Sequence, residues 1–196
     1  MYKASESEIV IRRLYQITNE YRKGFDTQIA QLLMMGLERF DLDIGILSKV
    51  EGNHYRVEHC IAPDGVELQS GDTFDYRSTY CEITCKSIGP IGIEHCGKHD
   101  KYATHPAYQS FGLESYIGIP IFVNEELYGT LNFSSPRPYY REFKEFDIDV
   151  SQVGASEVRF NQIGLAEIRA FQVGPHQVDA VHPALADRGV LQIRAL

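Results

Sequence analysis

The sequence predicts an α+β domain built around an antiparallel sheet, and three observations carry that prediction. Apolar residues recur at helical spacings as far as Gly36, then at a period of two from Asp43. A period of two returns, more strongly, in SYIGIPIFVNEELYGTLNFSSP. At 196 residues the chain is long enough for one well-buried domain with an extension.

The elements follow in order. Ser5-Glu6-Ser7-Glu8 has capping-box form, with the Ser5 side chain placed to meet the Glu8 amide. Val10, Leu14, Ile17 and Tyr21 then make one apolar seam of a helix, a pattern that pairs with another helix, including one from a second subunit. After Gly24 a second helix shows the face Phe25, Ile29, Leu32, Leu33 and Gly36, with Asp26 favouring its first turn. Ile44 to Val50 and Tyr55 to Ile61 read as a hairpin about Glu51-Gly52-Asn53. A polar loop runs from Pro63 to about Ser78. Tyr80 to Ser87 suits a short helix and Ile88 to Glu94 a short strand. His99 to Phe111 reads as irregular to helical, broken by Pro106.

The last hairpin is the clearest. Ile117, Ile119, Ile121 and Val123 share one strand face, Asn124-Glu125-Glu126 turns the chain, and Leu127, Gly129, Leu131 and Phe133 share the matching face of the return strand. Tyr128, Thr130, Asn132 and Ser134 fall on the opposite face. Pro120 suits an edge or a bulge better than a central ladder.

After Val150 the character changes. Residues 151–196 contain no Lys, Tyr, Cys or Met, and show a period of five from Gln152-Val153 to Gln177-Val178. A short β-solenoid is one reading, although Asn161, Phe171 and His176 fit it poorly where small residues are needed. Out-of-frame translation through repetitive coding sequence is the other, and the abruptness of the break favours it. The chain therefore divides into an N-terminal helix for signalling or dimerisation over 1–24, a domain over 25–150 and a tail over 151–196.

Hydrophobic residues make up 43% and charged residues 23%, ordinary for a soluble globular protein. A net charge of −8 without a dense basic patch argues against nucleic acid as a partner. The N-terminus lacks the apolar core of a signal peptide and no apolar run is long enough to span a bilayer, so a cytoplasmic location without membrane partners is expected. There the four cysteines would stay reduced.

The segments YCEIT, PIGIEH, HPAYQSFGLESYIGIPIFV and LYGTLNFSSP, with this order of elements, resemble a GAF domain, in particular the GAF modules of cyanobacterial sensor kinases. The resemblance covers about Phe25 to Val150. It implies a six-stranded antiparallel sheet with helices on one face and a ligand pocket under loops on the other. It implies, too, a sensory or regulatory module of signal transduction that binds a small molecule or dimerises, without chemistry of its own. No output module is recognisable, so the chain is expected to be a fragment or to act on another protein.

TYCEITCKSIGPIGIEHCGKH gathers three cysteines and two histidines. Cys81, Cys85, Cys96 and His99 are zinc-competent types, but the strand-like PIGIE between the two halves would hold them apart, so no zinc is expected. The resemblance implies an alternative, a thiol-dependent reductase of the free methionine-(R)-sulfoxide reductase type with Cys81 as its cysteine, at a helix N-terminus that lowers a thiol pKa. Against it, ATHPAYQSFG lacks the second cysteine those enzymes carry in this loop. The same loop has His105 but no cysteine before it, which disfavours covalent bilin. Burial as small hydrophobes accounts for Cys60, Cys81 and Cys85 without further purpose.

The expected ligand contacts are Tyr80, Cys81, Ile93, His95, His105, Tyr108, Tyr116, Thr130 and Asn132, with residues 100–112 as the lid. The competing reading leaves the Thr130 and Asn132 face open to water. The cofactor stays unassigned.

Overall fold

The computed structural model describes residues 6–143, apart from residue 88. Ser5 and the five-residue pattern of 151–196 lie outside the described residues. Two long helices come first, α1 (Glu6–Asn19) and α2 (Phe25–Phe40), joined by a 3₁₀ turn at Tyr21–Lys23. The strands are β1 (Ile44–Glu51), β2 (His54–Ile61), β3 (Thr73–Asp75), β4 (Ile91–Ile93), β5 (Ser115–Val123) and β6 (Glu126–Ser135). Two short helices are interleaved, α3 (Cys81–Lys86) and α4 (Pro106–Phe111). The strands form one antiparallel six-stranded sheet in the order β3-β2-β1-β6-β5-β4.

The main core lies between the long helices and one sheet face. Ile29, Leu32 and Leu33 of α2 join Leu47, Ile117, Ile119, Leu131 and Phe133 in one buried cluster. Gly36 is required there by close approach, since a Cβ would lie 2.1 Å from the Phe133 ring. The α1 seam of Val10, Leu14 and Ile17 is buried in this same cluster, so the chain itself uses the face expected to be available to a second subunit. The large apolar residues these helices expose are Ile9, Tyr15 and Met34.

Three local features depart from the sequence reading. β3 arises inside the polar loop, where Thr73, Phe74 and Asp75 pair with Arg56, Tyr55 and His54. Pro106 does not break a helix but begins one, since its missing N–H and fixed φ suit the first turn. Tyr128 is the extra residue of a bulge, because Ile121 pairs with Gly129 while Phe122 pairs with Leu127. The bulge reverses the phase of β6, so Tyr128 joins the helix-side core and Leu127 is exposed. Pro120, expected at an edge or a bulge, meets that expectation, since the β4 ladder does not extend past Gly118 and the β5–β6 register shifts just after Ile121. Among the described residues no helix is long and apolar enough to cross a membrane.

Candidate functional site

The sheet face away from α1 and α2 is closed by α3, which packs on β5 and β6. Helical spacing puts Cys81 and Thr84 on the buried side of α3, while Glu82 and Lys86 form an outward ion pair at 2.7 Å. Thr130 and Asn132, one strand period apart on β6, meet them from below. The competing expectation of a water-facing surface is thereby overturned: Thr130 is 0% and Asn132 3% exposed.

These side chains hydrogen bond to one another. The Thr130 hydroxyl lies 3.0 Å from the Cys81 thiol and 2.9 Å from the Ser48 hydroxyl, and accepts from Asn132 Nδ2 at 3.0 Å. One donor and two acceptor positions are thus occupied, which saturates the hydroxyl. The Thr130 N–H also donates to Ser48 Oγ at 3.2 Å. Beside this knot the Tyr116 phenol lies 2.7 Å from the Thr84 hydroxyl.

Burial sets the electrostatics. It raises the phenols of Tyr55 and Tyr116 well above their ordinary value, so both stay protonated. Burial also pushes the Cys81 thiol up, and hydrogen bonds from Thr130 and Tyr116 offset this only in part. The lowered thiol pKa expected from the helix N-terminus is not found, because desolvation of the thiolate outweighs a helix of six residues. The half-buried Cys85 is likewise pushed up to about 12 by burial.

A second cluster adjoins the first. Tyr80, Ile93, Cys96, Ala107 and Tyr116 pack together, with the Tyr80 and Tyr116 ring centroids 5.1 Å apart. The Tyr80 phenol donates to the Leu113 carbonyl at 2.7 Å and lies 2.9 Å from the Cys96 sulfur. His105 stacks on Tyr80 at 5.4 Å, and its Nδ1 caps α4 by accepting the Ala107 N–H at 3.1 Å.

At the rim Glu114 gathers the remaining groups. It accepts the Tyr108 phenol at 2.7 Å and the Gly97 N–H at 3.0 Å, and lies 3.4 Å from His95 Nε2. Burial alone would raise its carboxyl, but these hydrogen bonds and the charges of His95 and Lys98 outweigh it and hold the group below its usual range.

Of the residues the sequence singled out, Cys81, Tyr116, Thr130 and Asn132 are therefore brought into one network. Tyr80, Ile93 and His105 border it, and His95 and Tyr108 bind Glu114 at the rim instead. Sequence reasoning missed Ser48, Tyr55, Thr84 and Glu114. Ser48 carried a usable signal, since it shares a period-two face with Ile46 and Val50 and must be buried polar if they are core. Among the described residues the four cysteines are free, and no three His, Cys, Asp or Glu side chains gather to hold a metal.

The family model for the GAF domain matches residues 11–160. The chain belongs to the GAF domain family. Its similarity to solved structures is one of fold at low identity. The phycoerythrobilin-bound GAF domain from a cyanobacterial phytochrome is 16% identical, with a TM-score of 0.61 over 80% of this chain and 94% of that one. Free methionine-R-sulfoxide reductase from Neisseria meningitidis, in complex with its substrate, is 14% identical, with a TM-score of 0.60 over 81% of this chain and 90% of that one. The chromophore-binding domain of an unusual bacteriophytochrome from R. palustris is 12% identical with a TM-score of 0.61; 83% of this GAF chain is covered, and it spans 62% of that domain. No curated protein matches the sequence significantly.

Proposed function

We propose that this GAF domain is a sensory or regulatory module of signal transduction that binds a small molecule on the sheet face beneath α3 and α4. The observation that carries this reading is the knot of Ser48, Cys81, Thr130 and Asn132, buried between α3 and the face of β1 and β6 that lies opposite Leu47, Leu131 and Phe133 of the helix-side core. Buried polar networks confer less stability than a well-packed apolar core of equal volume, so a knot of four linked side chains beneath α3 argues for recognition. Binding exchanges these internal hydrogen bonds for bonds to the ligand. The exchange shifts α3 and the 100–112 loop between two arrangements, which is the signal. Self-association through the exposed Ile9, Tyr15 and Met34 would pass it to an attached or separate partner.

The reductase reading is favoured by the fold shared with the sulfoxide reductase. The Cys81 thiol weighs against it, being 3% exposed and pushed toward the protonated, non-nucleophilic form by burial. No second cysteine stands in the 100–112 loop.

Equilibrium dialysis of the full chain against a cellular small-molecule extract, read by mass spectrometry, tests both. The expected result is a compound enriched by the wild type and not by Asn132→Ser, with no turnover of free methionine sulfoxide in the presence of a dithiol reductant. Enrichment of nothing by the wild type would overturn the binding reading. Turnover abolished by Cys81→Ser would establish the reductase.

A further inference from the structure

β4 walls one side of the site, yet it has three residues, lies at the edge of the sheet and pairs with β5 alone. Ile91 and Ile93 pack with Tyr80, Cys96 and Tyr116 on the site side. The chain runs on from Glu94 to His95 and Cys96, and the Cys96 N–H donates to the Glu114 carbonyl at 2.7 Å. Gly92, one residue out of phase with its neighbours, turns to the other face.

On that other face lies the segment that leaves β6. Residues 136–143 form no helix or strand, and a few contacts hold them. The Ser115 hydroxyl donates to the Arg137 carbonyl at 2.8 Å. The Tyr139 N–H donates to the Glu94 carbonyl at 2.7 Å, and the Phe143 N–H to the Glu94 carboxylate at 3.1 Å. The Phe143 ring stacks on Tyr139 at 4.2 Å and fills the place of a Gly92 side chain, since a Cβ there would lie 2.8 Å from it. Phe143 is 8% exposed, whereas Tyr140 beside it is 90% exposed. Glu94 thus ties the segment to β4 by backbone and side chain at once. An irregular segment with so few anchors opens at small free-energy cost, and Pro136 and Pro138 reduce the entropy lost when it docks again.

We propose that residues 136–143 are a releasable strap that pins β4 from outside, holds the Ile93 and Cys96 wall of the site tight, and passes movement of β4 to the chain that follows. Release of the strap loosens that wall. By reciprocity, a ligand that tightens the wall favours the docked strap to the same degree. This regulation is of the site described above and rests on the ligand-binding reading, while the coupling itself is tested without a ligand.

Hydrogen exchange of the full chain is the test. Glu94→Ala removes the side-chain anchor, Glu94→Gln keeps an acceptor oxygen, and Gly92→Ala presses a methyl group against the Phe143 ring. The expected result is exchange about tenfold faster over residues 91–102 in Glu94→Ala and Gly92→Ala, with α2 and β1 unchanged and Glu94→Gln like the wild type. If Gly92→Ala fails to fold, Glu94→Ala against Glu94→Gln carries the comparison. Faster exchange confined to residues 136–143 would mean that the strap opens without moving β4. Equal acceleration in α2 and β1 would mean that Phe143 only fills the core, and no acceleration anywhere that Glu94 does not hold the strap. Each of these three results overturns the proposal and leaves the binding reading to the dialysis experiment.

Discussion

The phenolic oxygen of Tyr116 and the hydroxyl of Thr84 lie 2.7 Å apart, with Tyr116 2% and Thr84 0% exposed. The pair joins β5, beside the β4 edge of the sheet, to the helix that covers it. Each group has one weaker alternative, the Tyr80 carbonyl at 3.3 Å for Thr84 and the Cys81 sulfur at 3.9 Å for the phenol, which is deeply buried and held in its neutral form.

Removing one partner should therefore cost more than removing both. Thr84→Val keeps the shape and leaves the phenol only the Cys81 sulfur at 3.9 Å, at a cost of about 1–3 kcal/mol, whereas Thr84→Val with Tyr116→Phe should cost less than the sum of the single changes. Chemical denaturation of the four proteins measures the coupling. Strict additivity would mean that the bond contributes nothing.

The turn between β5 and β6 stores a correctable strain. Asn124 and Glu125 both have positive φ, 51° and 69°, as a two-residue hairpin of the primed type requires. Asparagine tolerates that region, whereas glutamate is an unusual choice at the second position. Glu125→Gly should stabilise the domain by about 0.5–1 kcal/mol and raise the thermal midpoint. A fall in the midpoint would mean that the contacts of the Glu125 side chain outweigh its backbone strain.

How far the sequence reached is best judged on this same hairpin. Its two strands and its turn were legible, because apolar alternation over β5 and β6 survives without knowledge of the partner strands. Tyr128 was not, since a bulge inserts a residue without changing composition, and every side chain toward the turn then switches face. β3 was hidden for another reason: three residues are too few to show a period, and pairing with Arg56, Tyr55 and His54 is what makes them a strand. In the site, Thr130 and Asn132 stood out by alternation. Thr84 and Glu114 acquire their roles from α3 and from the Cys96–Lys98 turn, and nothing in their own neighbourhoods announces either.

Asp43 ties the end of the sheet to the chain beyond β6. It accepts from Arg137 Nη2 at 2.8 Å and Nε at 3.2 Å, and from the Ser135 hydroxyl. Burial raises its carboxyl, but the Arg137 and Ser135 hydrogen bonds outweigh it and the pKa falls below the usual value. A depressed carboxyl contributes stability above its unfolded pKa of about 3.9 and loses it as the pH drops through the folded value. Asp43→Asn should thus be less stable than the wild type at pH 7, with the gap closing in acid. A gap independent of pH would show that shape rather than charge matters at this position.

His105 should make α4 respond to pH in the opposite part of the scale. Its Nδ1 accepts the Ala107 N–H, a role open to the neutral ring alone, since both nitrogens of the imidazolium donate. Burial lowers its pKa, and the nearby charge of Glu82 opposes this without reversing it. A lowered histidine stabilises the fold above its unfolded pKa of about 6.5 and ceases to do so as the pH falls through the folded value. Hydrogen exchange in residues 106–111 should accordingly quicken in the wild type below about pH 6.5, relative to the intrinsic rate. Asn at position 105 supplies a capping oxygen at every pH, so His105→Asn should keep α4 equally protected across that range. His105→Ala should lose about 1 kcal/mol of local protection at neutral pH. If His105→Asn and the wild type fell together on acidification, the response would belong to a group other than His105.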